Sequence, residues 1–214
     1  MKEVLDSGIR KYLANYTPKL TGESEYTKAA VLLPIVDTNE GESILFEVRS
    51  EDLNWQPGEI CFPGGKIEEA DKDPMHTAVR ETCEELSLTP DTIEVLGPLD
   101  YLATQMSVIV YPYVGKILKP ELINPGQSEV AEVFCVPIQK LLKMQPMIAQ
   151  MQVTTAPVTK DNFPYEILPE YARGSKPRKT YNLYFYQYDK YTIWGMTALI
   201  LKGFLDIIKE DSSS

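Results

Sequence analysis

Apolar positions along the chain follow two spacings, one typical of strands and one typical of helices. Runs rich in β-branched and aromatic residues predict strands at 26–36, 43–48, 92–102, 108–118, 130–136, 147–155 and 180–188. Apolar residues at helical spacing predict helices at 4–16, 73–88, 138–143 and 192–209. Because strands come before, between and after helices, we expect an α/β or α+β sandwich in which a sheet is held between helices.

Turn-forming residues predict how the strands are joined. The polar stretch 37–42 connects the first two strands as a hairpin, and 105–107 connects two strands of an antiparallel pair. The first strand is apolar without alternation, which is typical of a strand buried on both faces. The second predicted helix, at 73–88, is expected to begin after Asp73, a favourable N-cap residue, with Pro74 at the first helical position and Ser87 at the helix exit.

Length and composition predict one domain over residues 1–214. The chain has 214 residues, 43% of them hydrophobic, which suffices for a single core. Residues 1–25 are expected to form a leading helix and linker. Prolines and a glycine predict that 151–179 is irregular, and long loops in compact domains are often functional. That stretch holds Arg173 and Arg178, so it is either a substrate-binding loop or a solvated loop whose basic residues aid solubility.

The net charge of the chain limits the classes of partner that it can bind. A formal net charge of −10 argues against a nucleic-acid backbone or an anionic membrane as the main partner. Three scattered cysteines suggest neither a zinc site nor a redox pair. The first residues do not resemble a signal peptide, and the apolar runs are too short to span a membrane. The sequence therefore predicts a soluble, cytoplasmic protein, and it leaves a homodimer open.

The candidate chemistry lies in a glycine pair followed by an acidic helix. Glu81, Glu84 and Glu85 stand at i, i+3 and i+4, about 140° around the helix from a stripe expected to pack, namely Met75, Val79, Thr82 and Leu86. Three carboxylates within one turn repel one another unless cations lie between them. Mg²⁺ or Mn²⁺ would suit, because these ions bind oxygen ligands and share their shell with substrate phosphates. The alternative is an exposed acidic helix face behind an ordinary glycine turn.

The joint pattern resembles a known motif. The Nudix box, the signature of hydrolases that cleave a nucleoside diphosphate linked to another group, is similar to the set Gly65, Asp71, Arg80, Glu81, Glu84, Glu85 and Leu88. Three departures stand out: Asp71 replaces Glu, the gap from Asp71 to Arg80 is one residue longer, and Ser87 replaces Gly. The first two are features of the coenzyme A pyrophosphatase branch. Residues 44–65 and 193–201 also resemble that branch, although Asn54 stands where a basic coenzyme A contact is expected.

The resemblance implies a fold and a set of site residues. The fold would be a Nudix-like α/β/α sandwich with a mixed sheet. Mg²⁺ or Mn²⁺ would be held by the Gly65 carbonyl and the carboxylates of Glu81, Glu84 and Glu85. A further carboxylate, for which Glu129 is preferred over Glu132 and Glu166, would complete the metal shell or act as base. The remaining candidates are Arg80, which would orient Glu84 or pair with Asp71, and five substrate-binding residues: Arg49, Gly64, Lys66, Arg173 and Arg178.

The resemblance also implies a reaction. The preferred hypothesis is metal-dependent hydrolysis of the pyrophosphate bond of coenzyme A or its derivatives, giving 3′,5′-ADP and 4′-phosphopantetheine. The alternative is a Nudix pyrophosphatase acting on another small nucleotide, such as ADP-ribose or NADH. A non-catalytic nucleotide-sensing module is a weaker hypothesis, because such proteins typically lose box carboxylates and all three are present here.

Overall fold

The structure is a computed structural model that describes residues 7–18, 20–156, 165–169 and 176–211. Its helices are α1 (Ser7–Ala14), α2 (Pro74–Leu86), α3 (Ile138–Lys143) and α4 (Gly195–Asp211). Its strands are β1 (Thr27–Thr38), β2 (Gly41–Arg49), β3 (Ile60–Cys61), β4 (Gly64–Lys66), β5 (Ile93–Pro98), β6 (Leu102–Ala103), β7 (Val108–Ile117), β8 (Val130–Pro137), β9 (Met147–Thr155), β10 (Lys176–Tyr188) and β11 (Tyr191–Ile193).

A mixed sheet of eight strands forms the centre. Its main order is β3-β2-β1-β7-β5, while β4 pairs with β1, β6 with β7 and β8 with β2. The β1 and β7 strands are parallel, and the other neighbours are antiparallel. A second, antiparallel sheet has the order β11-β10-β9. The predicted hairpin of the first two strands and the predicted antiparallel pairing with β7 are confirmed.

The central sheet lies between two helices. On one face Ala30 and Leu32 of β1 pack against Ala78 of α2. On the other face Leu33 and Ile35 belong to the cluster that contains Ala198, Leu201 and Leu205 of α4. Because successive strand residues point to opposite faces, an unbroken apolar run can serve both layers. The expected α/β/α sandwich with a mixed sheet is confirmed. No helix among the described residues has both the length and the apolar character needed to cross a membrane.

Helix α2 packs through Val79, Thr82 and Leu86 of the predicted stripe, but the packed face also takes in residues outside that stripe. Its buried residues are Thr77, Ala78, Thr82, Glu85 and Leu86, whereas the side chain of Met75 is 41% exposed. The prediction that the carboxylates lie apart from the packed face is therefore wrong for Glu85. The physical reason is that α2 lies on the glycines of β4, which have no side chains and let a helix carboxylate approach the sheet.

Two further boundaries differ from the sequence prediction. The strand predicted at 147–155 is β9 with the same bounds, but β10 begins at Lys176 rather than at residue 180, so the stretch 151–179 is not irregular throughout. These strands pair along their length, and a register shift beside Pro177 accommodates a residue that has no N–H to donate. Helix α4 begins at Gly195 rather than near residue 192, because Tyr191–Ile193 pairs with β10 as a strand.

The predicted strand at 92–102 and the leading helix also differ in extent. The strand is divided into β5 and β6, with a register shift between Val95 and Gly97. Helix α1 covers Ser7–Ala14 of the predicted 4–16, and residues 1–6 lie outside the described part of the chain.

The C-terminal end of α2 provides a stability prediction. Ser87 has φ 54° and ψ 42°, the left-handed conformation that glycine adopts without steric cost. Ser87→Gly is expected to raise the free energy of unfolding by roughly 1 kcal/mol, measured by urea denaturation. The same replacement at Ser128, which is not in the left-handed conformation, should give no gain. A Ser87→Gly protein no more stable than the wild type would contradict this account of the helix end.

Candidate active site

The floor of the candidate site is the glycine pair of β4. Gly64 and Gly65 pair with Val31 and Ala30 of β1, and α2 packs above them. The Gly64 amide donates a hydrogen bond of 2.9 Å to Glu85 Oε2. A Cβ atom on Gly65 would lie 2.7 Å from Glu81 Oε2, so the Glu81 carboxylate rests directly against the glycine backbone. The structure therefore brings four of the predicted residues together.

Arg80 lies at the centre of the carboxylates. Its Nε and Nη2 donate to Asp71 at 2.9 and 3.0 Å. Its Nη1 lies 3.1 Å from Glu84 Oε2, and Nη2 lies 2.9 Å from Glu81 Oε1. The sequence left open whether Arg80 orients Glu84 or pairs with Asp71, and in the structure it does both. A guanidinium suits this position because its planar donors can serve several carboxylates.

Asp71 fastens the loop before α2 to the helix itself. It accepts hydrogen bonds of 2.9 Å from the Glu68 amide and from Thr77 Oγ1, and it lies 3.1 Å from His76 Nδ1. The bonds from Arg80, then from Glu68, hold the pKa of Asp71 well below its usual range. The loop and the first two turns of α2 are therefore locked around one carboxylate that stays charged.

Two glutamates of the site are buried. Glu85 is 7% exposed and Glu47, on β2, is 1% exposed. Burial raises the pKa of Glu85, an effect increased by the charges of Glu81 and Glu129 and opposed by the hydrogen bond from Gly64. Burial, followed by the charge of Glu85, raises the pKa of Glu47. Burial also raises the pKa of Glu81, and Arg80 opposes that change. The site thus gathers carboxyl groups where water is scarce, and without a cation burial favours their neutral form.

Glu129 and Glu132 occupy different surroundings. Glu129 is exposed, its backbone carbonyl accepts a 2.9 Å bond from the Ser50 amide, and its charge raises the pKa of Glu85. Glu132 instead pairs with Lys190 at 3.0 Å and accepts a hydrogen bond from the Tyr191 hydroxyl. The preference for Glu129 over Glu132 as the additional carboxylate stays a prediction.

The predicted substrate-binding residues are only partly described. Arg49 directs Nε and Nη2 to the Trp55 carbonyl at 3.4 and 3.3 Å, and its charge opposes the raised pKa values of Glu47 and Glu85. Lys66 is exposed at the end of β4. Arg173 lies outside the described residues, and of Arg178 only the backbone, within β10, is described.

The comparison with protein families decides what kind of site this is. A family model described as the NUDIX domain matches residues 26–157, which include β4, α2 and all the carboxylates above. The chain belongs to the Nudix family. It is accordingly a Nudix hydrolase, an enzyme that cleaves phosphoric anhydrides of small nucleotides.

Curated Nudix relatives match most of the chain. The mitochondrial coenzyme A diphosphatase NUDT8 of Homo sapiens is 31% identical over 202 residues, or 93% of this chain and 76% of that protein. The peroxisomal coenzyme A diphosphatase NUDT7 of Mus musculus is 38% identical over 127 residues, or 59% of this chain and 53% of that protein. A protein described as uncharacterised Nudix hydrolase NudL, from Pectobacterium atrosepticum, is 27% identical over 197 residues, or 92% of this chain and 91% of that protein.

Nudix hydrolases generally need divalent metal ions, and the donors of this site fit such an ion. They are carboxylate oxygens beside a glycine that has no Cβ, and they include two buried oxygens of Glu47 without a hydrogen-bond partner in the described chain. Among the described residues, no three Asp, Glu, His or Cys side chains are oriented so that they could all bind one ion in this conformation. Arg80 holds Glu81 and Glu84 instead, so an ion would draw these carboxylates away from the guanidinium.

Glu47 is the site residue that sequence reasoning missed. It lies in the run 44–50 that resembles the coenzyme A branch, where we expected a strand and a substrate contact at Arg49 but no role for Glu47. The available signal was an acidic residue within an apolar strand, because a buried strand position rarely holds a charge without a partner.

Proposed function

We propose that this Nudix hydrolase cleaves the pyrophosphate bond of coenzyme A or its derivatives. Water would add to one phosphorus atom, the bridging P–O bond would break, and the products would be 3′,5′-ADP and 4′-phosphopantetheine. The observation that supports hydrolysis is the clustering of Glu81 and Glu85 on Gly64 and Gly65. The choice of coenzyme A rests on the similarity to NUDT8 and NUDT7, which are described as coenzyme A diphosphatases.

The proposed ion is Mg²⁺ or Mn²⁺, held by Glu81, Glu84 and Glu85 together with the Gly65 carbonyl. Such an ion, when bound, neutralises charge on the phosphate oxygens and lowers the pKa of a coordinated water. These three glutamates come from one helix and would meet the ion together, because positions i, i+3 and i+4 share a helix face. Gly64 positions Glu85 through its amide, and Arg80 with Asp71 keeps the helix and the preceding loop in register.

The other chain residues have simpler proposed tasks. Glu129 is exposed next to the buried acids, where it can accept a proton from the attacking water. Arg49 and the exposed Lys66 would supply positive charge for the substrate phosphates. Location in the cytoplasm and a homodimer stay predictions of the sequence.

A panel of substrates tests the proposal. The purified protein would be incubated with Mg²⁺ or Mn²⁺ and coenzyme A, acyl-coenzyme A, ADP-ribose or NADH, and the products separated by chromatography. We expect 3′,5′-ADP and 4′-phosphopantetheine from coenzyme A, at a kcat/KM above those of the other dinucleotides. A preference for ADP-ribose or NADH would replace the proposal with the alternative, which Asn54 favours because a basic residue is expected there in the coenzyme A branch.

The basic residues after β9 give a sharper test of the substrate. If Arg173 and Arg178 meet the 3′-phosphate of coenzyme A, replacing both with Ala should raise KM for coenzyme A about tenfold more than KM for dephospho-coenzyme A. Steady-state kinetics on the two substrates measure this ratio. Lys119→Ala, at an exposed lysine beyond β7, serves as the charge control and should change neither KM. Equal effects of the arginine replacements on both substrates would remove these residues from phosphate recognition.

A further inference from the structure

Glu47 is a buried acid without a hydrogen-bond donor. It lies in the middle of β2, where its neighbours across the sheet are Cys61 of β3 and Val133 of β8. Its side chain is 1% exposed, and neither carboxylate oxygen has a hydrogen-bond partner among the described residues. A buried, charged carboxylate without a donor or a cation is strongly unfavourable. Glu47 therefore either keeps its proton and shares it with Glu85, which agrees with its raised pKa, or takes a cation as its partner.

The strand geometry directs Glu47 toward the candidate active site. Leu45, two residues earlier on β2 and therefore on the same face, packs with Leu86 and Leu88 at the end of α2. Glu47, two residues after Leu45 on β2, therefore also faces α2, and it lies opposite Glu85. The electrostatic influence of Glu85 and Glu129 on Glu47 agrees with this placement. Two carboxylates that face each other in a buried space are both acceptors, and neither can satisfy the other when both are charged.

The Arg49 guanidinium does not satisfy Glu47. Arg49 exerts a favourable charge on it, but the guanidinium donates to the Trp55 carbonyl and makes no hydrogen bond to Glu47. Arg80 is occupied by Asp71, Glu81 and Glu84. The two carboxylate oxygens of Glu47 are thus left without a donor from the described part of the chain, on the side of the site formed by the sheet.

We propose that Glu47 is a further residue of the divalent-ion site, contributing its carboxylate from β2 while Glu85 contributes from α2. The inference rests on the proposed metal-dependent function and deepens it, because the ion would then be held between the sheet and the helix. Hard divalent cations take oxygen ligands at short distance and can offset the repulsion of two such carboxylates. The role lies outside the acidic motif of α2.

Direct metal binding tests the proposal without relying on turnover. Mn²⁺ would be titrated calorimetrically into metal-free wild type, Glu47→Gln and Glu47→Met, the second variant having a similar volume and no hydrogen-bond requirement. We expect the Kd for Mn²⁺ to rise about 10- to 100-fold in both variants. Glu94→Gln is the matched control, because Glu94 is an exposed acid on β5 with no proposed part in the ion site; its Kd should equal that of the wild type.

Thermal unfolding distinguishes an ion ligand from a structural residue. In EDTA the Tm of the Glu47 variants should equal or exceed that of the wild type, since an unpartnered buried acid has been removed. In Mn²⁺ the wild type should gain more in Tm than the variants. Wild-type Mn²⁺ affinity in both variants, or a lower Tm in EDTA for both, would overturn the inference and leave the proposed function standing. A wild type that binds no Mn²⁺ would instead overturn the proposed function.

Discussion

Glu85→Gln is expected to lower kcat for coenzyme A hydrolysis by about 10²–10⁴-fold while leaving the fold intact. Glu85 is buried, accepts the Gly64 amide, and belongs to the proposed ion site. Glutamine keeps the shape and can still accept that hydrogen bond, but it removes the charge that would hold an ion. The measurement is kcat with saturating Mg²⁺ and substrate, together with circular dichroism and Tm in EDTA.

The matched control for Glu85→Gln is Glu94→Gln, at an exposed acid on β5. It removes the same charge far from the glycine pair, so kcat should stay at the wild-type value. Glu84→Gln should also abolish turnover, although Glu84 is exposed and is held only by Arg80. Turnover retained in Glu85→Gln with an unchanged Tm would contradict the mechanism.

Gly64→Ala is expected to lower the free energy of unfolding by roughly 2–5 kcal/mol, with loss of activity as a consequence. Gly64 has φ 153°, and a Cβ there would lie 2.6 Å from Val31 Cα and would also meet the Ala30 carbonyl oxygen. Both obstacles are backbone atoms of the central strand β1, which cannot move aside without breaking its pairing with β7. Urea denaturation and the Tm measure the effect.

Gly65→Ala should separate stability from metal binding. Its Cβ would meet the carboxylate of Glu81, which is the end of a flexible side chain and can turn away. We therefore expect a Tm close to that of the wild type, a higher Kd for Mn²⁺ and a lower kcat. Gly97→Ala, where nothing lies within 4 Å of the added Cβ, is the control for replacing a strand glycine. Equal Tm values for Gly64→Ala and Gly97→Ala would refute the steric argument.

Local signals in the sequence predicted local structure well. Asp73 caps α2 by accepting a 2.8 Å bond from the His76 amide, Pro74 is the first helical residue, and Ser87 makes the left-handed exit. Helix α3 covers the predicted residues 138–143. These features depend on side chains and backbone angles within a few residues of one another, so their physical cause is contained in a short stretch of chain.

Features that depend on distant residues were predicted less well. The face of α2 that packs is set by the glycines of β4, and the length of β9 and β10 is set by their pairing with each other. Prolines indicated an irregular stretch there, but pairing with β9 extends β10 to Lys176, four residues before its predicted start, whereas β9 keeps its predicted limits. The strand propensity of a residue does not include the contacts that the residue makes with distant strands, and such tertiary contacts can override it.

The sequence by itself determined the donor chemistry of this protein: a glycine pair, then three carboxylates at a spacing that lets one helix present them together. It also predicted a sheet between helices. Only the tertiary structure decided that Glu85 is buried, that Arg80 holds Asp71, Glu81 and Glu84, and that Glu47 of β2 is buried within the electrostatic influence of Glu85. The reason is physical, because the burial and charge environment of a carboxylate depend on which distant strand the helix packs against, and no local spacing contains that information.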